Sequence, residues 1–271
     1  MPAQTPTAVI RALDGFRLRE AIRLTLPKEH GSWSLALEPI ALGLLVAPSW
    51  AGIPLALAAS AGFFLRRPVK ISLQAQPDPR RSLAAICVGA LLFVAAASLL
   101  LAMELGGVTR LWPLIPAALA GSLFAWFDAR GANREGAAEL AGASAFALLP
   151  ATFASLAGWP AANSLALAAV MLARSVPTVM VVRTFLRRRK GGSVSPVPAL
   201  LTALAATGIL GWLALWSLVP WSVAVFSVLL AARAFWLGSP AAARWSARRL
   251  GYLELFMGAA LVIVAAATWW R

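Results

Sequence analysis

Cysteine, histidine and acidic residues are scarce in this sequence. Cys87 and His30 are the single cysteine and the single histidine among 271 residues. An intrachain disulfide is therefore excluded, and the sequence has no set of ligands for a histidine- or cysteine-bound zinc or haem. It also lacks a glycine-rich nucleotide loop, an H-E-x-x-H motif and a G-x-S-x-G elbow. The enzyme classes that depend on these motifs are set aside.

Charge is sparse as well, and most of it is positive. Charged residues make up 13% of the chain and hydrophobic residues 61%, with a mean hydropathy of +0.79. A soluble domain is about 45–50% apolar and about 25% charged. Apolar stretches long enough to cross a hydrocarbon core of about 30 Å recur along the sequence. The composition predicts an all-α, polytopic membrane helix bundle.

Nine apolar spans are predicted, over residues 31–48, 51–65, 83–103, 111–127, 137–158, 162–183, 197–217, 219–237 and 250–270. Only the Val219-Pro220 turn separates the seventh span from the eighth, so eight spans are the alternative. Residues 1–28 form a basic leader without the apolar region and cleavage site of a signal peptide. We expect this leader to be a short amphipathic helix on the membrane surface and residues 29–271 to be a single transmembrane domain.

Basic segments alternate with bare ones along the chain. Lys and Arg are concentrated in the leader and in the regions after spans two, four, six and eight. Arg233 is assigned, with Arg244, to the region after span eight. The span ends on the other side of the membrane hold only Arg110 and Arg271. The positive-inside rule then predicts an inner-membrane protein with a cytoplasmic N-terminus and an external C-terminus. Orientation and anionic lipid headgroups explain the net charge of +14 better than nucleic acid does.

The start of the first span gathers polar residues. His30, Ser34 and Glu38 share one helix face at 100° per residue. An ionised carboxylate facing lipid is costly, so we expect Glu38 to face the bundle interior or a wet cavity. His30 and Glu38 are candidate catalytic residues as an acid/base pair. The alternative is that Glu29 and Glu38 merely pair with cations of neighbouring helices.

Arginines form a second group of candidates. Arg66 and Arg67 follow span two, and Arg183 and Arg187 share a helix face near the end of span six. Because arginine matches phosphate with bidentate hydrogen bonds, these residues are candidate ligands for a phosphate-bearing molecule. They are alternatively topology anchors.

Arg174 lies near the middle of span six, too deep to reach water easily. A buried guanidinium needs an acidic partner or an anionic ligand, so Arg174 is also a candidate ligand-binding residue. The candidate acidic partners within spans are Glu38, Glu139 and Glu254.

Three short motifs carry a resemblance to a known family. Pro27-Lys-Glu-His-Gly-Ser-Trp33, Leu65-Arg-Arg-Pro68 and Val182-Arg-Thr184 resemble the signatures of the YwiC-like family of bacterial integral membrane proteins. Their order and their places relative to the spans agree along most of the chain. The family name implies no established activity.

A more distant resemblance is to the UbiA-type prenyltransferase superfamily. Nine spans with polar loops after spans two, four and six resemble that architecture, and Gly136–Gly158 resembles the small-residue fifth helix of menaquinone-type members. Those enzymes bind an isoprenoid diphosphate through Mg²⁺ held by two Asp-rich motifs. The second motif, Arg-Asp-x-x-x-Asp-Arg-Lys-x-Gly, is matched here by Arg183, Arg189, Lys190 and Gly192.

The metal-binding positions of that superfamily are not retained. Thr184 and Arg188 occupy the two Asp positions, and residues 64–74, where the first motif would fall, contain no acidic residue. Mg²⁺ needs oxygen ligands, preferably carboxylates. We therefore expect no metal and no cofactor.

Three functional hypotheses follow. The first is a UbiA-like protein that binds an anionic lipid or isoprenoid-type ligand in a cytoplasm-facing cavity, and that would be a lipid-modifying transferase if it is an enzyme. The second is a small-molecule or ion transporter with intramembrane Arg/Glu pairs. The third is a non-catalytic membrane scaffold.

Overall fold

The computed structural model describes residues 20–26, 30–73 and 78–269. These residues form helices and turns without a strand, as the all-α prediction requires. The helices from residue 30 onward are α1 His30–Val46, α2 Gly52–Ser72, α3 Arg81–Gly106, α4 Leu114–Ala129, α5 Gly136–Ala147, α6 Leu149–Leu156, α7 Ala161–Arg189, α8 Val197–Leu215, α9 Trp221–Gly238 and α10 Ala247–Thr268.

The helices follow the predicted spans in order, with α5 and α6 together forming the fifth. Within the described residues, six segments are long and apolar enough to cross a membrane, namely α3, α5 with α6, α7, α8, α9 and α10. Helices α1 and α4 contain shorter apolar stretches. Helix α2 is less apolar because its last turns carry Arg66, Arg67 and Lys70. The multi-pass prediction is confirmed, while the count of nine crossings stays a prediction.

The two helices that an eight-span chain would merge are separate. Helix α8 ends at Leu215, and α9 begins at Trp221 directly after Pro220. Between them Ser217 has a φ of 56°, in the left-handed region that a continuing helix does not use. Helices α8 and α9 pack against each other, so this turn reverses the chain.

Contacts divide the chain into two units. The first comprises Met1–Glu29 and Pro54–Leu101, and the second comprises His30–Ile53 and Ala102–Arg271. In the first unit, Arg67 Nη1 donates to the carbonyl oxygens of Arg23 and Leu26, the latter at 2.7 Å. Most of the predicted leader, including Arg11, Arg17 and Arg19, lies outside the described residues.

A polar turn precedes α3 in the first unit. The backbone N–H of Arg80 donates to Asp78 Oδ1 at 2.8 Å, and the Arg80 side chain also contacts that oxygen. The backbone hydrogen bond lowers the pKa of Asp78 below its usual value. This turn is outside the membrane-spanning segments and fixes the entry into α3.

Helix α7 is the centre of the second unit. It runs for 29 residues, and α5, α6, α8 and α9 pack around it. It continues past the predicted end of span six, so the basic residues from Arg183 to Arg189 are helical. Elsewhere in the unit the buried Phe153 ring fills the space that a side chain at Gly43 would need, which lets α6 approach α1 closely.

Candidate functional site

Four charged side chains from four helices meet in the interior of the second unit. They are Glu38 on α1, Arg174 on α7, Arg233 on α9 and Glu254 on α10, and each is at most 7% exposed. We refer to these four residues as the charge cluster. It contains two cations and two carboxylates, so its net charge is zero when all four are ionised.

Glu254 joins the two arginines. Its Oε2 accepts from Arg174 Nη1 at 3.0 Å and also from Arg233 Nη1. Its main-chain carbonyl accepts from Arg174 Nη2 at 2.6 Å. Because Arg174 Nε lies 3.5 Å from Glu38 Oε2, Arg174 bridges both carboxylates and ties α1, α7 and α10 together.

Two hydroxyl groups complete the cluster through local helix spacing. Ser34 Oγ donates to Glu38 Oε1 from four residues earlier on α1. Thr178 Oγ1 accepts from Arg174 Nη1 and donates to the Arg174 carbonyl at 2.7 Å. Residues four apart share a helix face, so each hydroxyl lies beside the charge it contacts.

A glycine makes room for the Glu38 carboxylate. A Cβ atom built on Gly258 of α10 would overlap the carboxylate, so that this position admits no side chain while Glu38 keeps its place. Helix α1 packs against α10 along this contact. The absence of a side chain at Gly258 therefore lets the carboxylate of α1 lie directly against α10.

The cluster lies away from the helix ends. At 1.5 Å per residue, Glu38 is about 12 Å from the start of α1, Glu254 about 10 Å from the start of α10 and Arg233 about 8 Å from the end of α9. The end of α9 lies beside the basic end of α7, where Arg188 Nη1 donates to the Gly238 carbonyl. The charges are therefore inside the apolar segments.

The cluster is closed and only partly satisfied. Arg174 Nε, Arg233 Nε and Glu254 Oε1 have no hydrogen-bond partner within the described part of the chain. A cavity of about 10 Å³ borders Arg174 and Arg233, with Thr207 and Ser227 in its wall. This is room for about one water molecule, whereas small-molecule sites are about 300–1,000 Å³.

The structure brings together two of the predicted site residues, Glu38 and Arg174. Of the three acidic partners considered for Arg174, it selects Glu38 and Glu254. Glu139 pairs instead with Arg183, whose Nη1 lies 2.8 Å from Glu139 Oε2.

Arg183 and Arg187 lie on α7 beyond the cluster. Arg183 also donates to the carbonyl of Arg134 at 2.7 Å. Its side chain is partly exposed, and that of Arg187 is exposed. Nine residues separate Arg174 from Arg183, which is about 13 Å along the helix. These arginines therefore belong to a separate surface.

The site predictions for His30, Arg66 and Arg67 stay predictions. His30 is the first residue of α1, but its side chain lies outside the described part of the structure. Arg66 and Arg67 belong to α2 in the first unit, where Arg66 is exposed and Arg67 is half-buried. Their shared role with Arg183 and Arg187 stays a prediction.

Arg233 corrects the sequence interpretation. It was grouped with the basic residues of the gap after span eight, but it lies within α9, five residues before the helix ends, and is 6% exposed. The signal was present, because Arg233 falls inside the predicted span 219–237 between apolar neighbours. A charge in that position needs a buried partner, as Arg174 does.

A family model matches part of the chain. Residues 26–153 match the model of the YwiC-like proteins. The chain is YwiC-like over this segment. The YwiC-like segment includes the motifs at residues 27–33 and 65–68 together with Glu38, and it ends before the helices that supply the other three charges.

Neither the curated proteins nor the solved structures gave a match. The resemblance to the UbiA superfamily therefore stays a prediction. Among the residues that the structure describes, no three His, Cys, Asp or Glu side chains come together in a group that could hold a metal ion.

Proposed function

We propose that this YwiC-like integral membrane protein transports a small anion, with the charge cluster as the centre of the pathway. The observation that carries the proposal is the burial of four charges, from four helices, inside apolar segments. Ionisable groups at such depth are rare and costly, and they mark transport and proton pathways. Packing alone gives no reason for them, because apolar residues of similar volume are often as stabilising as a buried ion pair.

The geometry favours transport over a resident ligand at Arg174. Glu38 and Glu254 already occupy this guanidinium, and the cavity beside it has a volume of only about 10 Å³. A lipid headgroup has no room there. A small anion would reach the arginines only when a carboxylate gives way, as expected of a site that opens and closes.

The test is anion flux in proteoliposomes that contain a trapped pH indicator, with chloride, phosphate and lactate as probes. We expect flux that depends on pH for at least one probe and that is lost in Arg174→Ala. Arg110→Ala is the matched control, since Arg110 lies outside the cluster and contacts the Leu156 carbonyl. Arg174→Lys, which keeps the charge, is measured in parallel by flux and by size-exclusion profile. Equal flux in Arg174→Ala and the unaltered protein would refute the proposal.

An exposed basic end favours a second candidate function, the binding of an anionic lipid or isoprenoid-type ligand. Arg187, Arg188, Arg189 and Lys190 are exposed at the end of α7. Arg244, Arg248 and Arg249, near the start of α10, are exposed too. Arg188 Nη1 donates to the Gly238 carbonyl at 2.5 Å, which joins the end of α7 to that of α9. Clustered cations of this kind attract phosphate headgroups.

Mass spectrometry of co-purified lipids tests this candidate. The double variant Arg183→Ala with Arg187→Ala is expected to lose anionic lipid relative to the unaltered protein. An unchanged lipid profile would count heavily against binding at this end. The enzymatic version of this idea, with His30 and Glu38 as the acid/base pair of a lipid-modifying transferase, is less favoured, because the Glu38 carboxylate is buried beside Arg174 and Ser34.

A further inference from the structure

Glu254 has a position in the charge cluster that no other member shares. Its Oε2 contacts both arginines, and its Oε1 has no hydrogen-bond partner in the described chain. Loss of its negative charge would therefore remove a carboxylate contact from Arg174 and from Arg233 at once, while Arg174 keeps Glu38 and the Glu254 main-chain carbonyl. Arginine stays protonated in proteins, so the carboxylates are the groups of the cluster that can change charge.

The charges that face Glu254 come from each helix packed against α10. Helix α1 contributes Glu38, α7 contributes Arg174 and α9 contributes Arg233. Of the two arginines, Glu38 contacts only Arg174. Its carboxylate also accepts a hydrogen bond from the Ser34 hydroxyl and lies against the backbone of Gly258. Both oxygens of Glu38 are thus in contact with a neighbour, whereas Glu254 has an unbonded oxygen that can take a proton.

Charge balance then defines the ligand. With both carboxylates ionised the cluster is neutral, and a proton on Glu254 leaves one positive charge in excess. An uncompensated charge in a low-dielectric interior is costly. A monovalent anion between the two guanidiniums restores neutrality.

We propose that Glu254 takes up one proton for each monovalent anion that binds Arg174 and Arg233, which makes the protein an electroneutral proton–anion cotransporter. The inference rests on the proposed transport function. The proton goes to the Glu254 carboxylate, the anion takes the place of that carboxylate between the guanidiniums, and both leave on the other side. No bond other than the O–H bond forms or breaks.

The cavity beside the arginines indicates the direction of entry. It is bordered by α7, α8 and α9, with Pro177 and the hydroxyl-bearing residues Thr207 and Ser227 in its wall. Pro177 has no N–H to continue the helix ladder, which weakens α7 next to Arg174. The anion path is expected to widen from this side of the cluster.

The decisive experiment compares flux at two membrane potentials. The proteoliposomes hold a trapped pH indicator, valinomycin and potassium gradients set 0 or −100 mV, and chloride, phosphate near pH 5 and lactate are the probes. Electroneutral cotransport predicts one proton per anion and accumulation that is equal within twofold at both potentials. Movement of one net charge would change accumulation up to about 50-fold.

Glu254→Gln imitates the protonated carboxylate. In this variant the proton-to-anion ratio is expected to fall from about one to near zero, and the anion flux becomes sensitive to potential. Glu139→Gln is the matched control, because Glu139 pairs with Arg183 outside the cluster. It should keep a ratio near one.

The outcomes separate this inference from the function on which it rests. Anion flux that needs Arg174 but follows the potential, or a ratio near one in Glu254→Gln, overturns the coupling and leaves transport standing. Absence of any flux dependent on Arg174 overturns both. If Glu254→Gln does not fold, the two-potential measurement on the unaltered protein decides by itself.

Discussion

Replacement of Gly258 with alanine tests whether the Glu38 carboxylate is seated where the structure places it. The new methyl group would overlap that carboxylate, so Glu38 must turn away or α10 must move back from α1. A helix surface without a specific neighbour would tolerate the same change. Gly251, about two helix turns earlier on α10, has no atom within 4 Å of a Cβ built on it and supplies the matched control.

The size of the effect follows from what Glu38 loses. Overpacking by a methyl group costs about 1–3 kcal/mol when neighbours can adjust. If the carboxylate also leaves Arg174, the cost approaches the roughly 3–5 kcal/mol of a buried ion pair with one partner removed. Overpacking alone corresponds to a fall in Tm of about 2–12 °C for a chain of this size. Gly251→Ala should stay within about 0.5 kcal/mol of the unaltered protein.

Tryptophan fluorescence during heating in detergent measures both variants, since the chain has 12 tryptophans. Purified Gly258→Ala is compared with Gly251→Ala at equal detergent concentration. A third protein, the double variant Gly258→Ala with Glu38→Gln, is measured beside them. The glutamine should recover none of the overlap, because it has the same shape as glutamate. Equal midpoints for Gly258→Ala and Gly251→Ala would show that Glu38 is not seated on Gly258.

Four further outcomes are expected. Arg233→Leu should destabilise the protein by about 3–5 kcal/mol. Adding Glu254→Leu should recover part of this stability, because the excess buried negative charge is removed. A larger loss of stability in the double variant would contradict the ion pair between Arg233 and Glu254. Arg67→Ala should speed tryptic cleavage near residue 23, because the two carbonyls it holds are freed. Glu139→Gln should lower stability by no more than about 1 kcal/mol, as its pair with Arg183 is partly exposed. Alkaline phosphatase fused to the C-terminus should be active, and a fused green fluorescent protein dark, if that end is external.

The helical class and the order of spans follow from hydropathy, because lipid leaves a backbone few alternatives to helix. Boundaries were less accurate where charge and helix coexist. Helix α7 continues to Arg189 although its apolar run ends earlier, since basic residues favour the last turns of a helix. The break between α5 and α6 at Leu148 gave no hydropathy signal, because both halves are apolar.

The charge cluster was predictable in part. The cost of burying a charge correctly implied an acidic partner for Arg174, and Glu38 and Glu254 were among those considered. The choice between them and Glu139 depends on which helices are neighbours and how each is rotated. A single sequence carries neither quantity. The burial of Arg233 was not predicted, because its position near the end of span eight was interpreted as membership of the following loop.

The charge cluster also constrains how the chain is made. Glu38 enters the membrane roughly 140 residues of synthesis before Arg174 and roughly 200 before Arg233 and Glu254, which at 5–20 residues per second is on the order of ten seconds or more. During that interval α1 holds a carboxylate without its final partners, at a cost of about 2.5–3.5 kcal/mol on the insertion scale. Helix α1 is therefore secured by α7, α9 and α10, which are all made long after it, and a nascent chain that stops before α10 leaves an unbalanced charge in the bilayer.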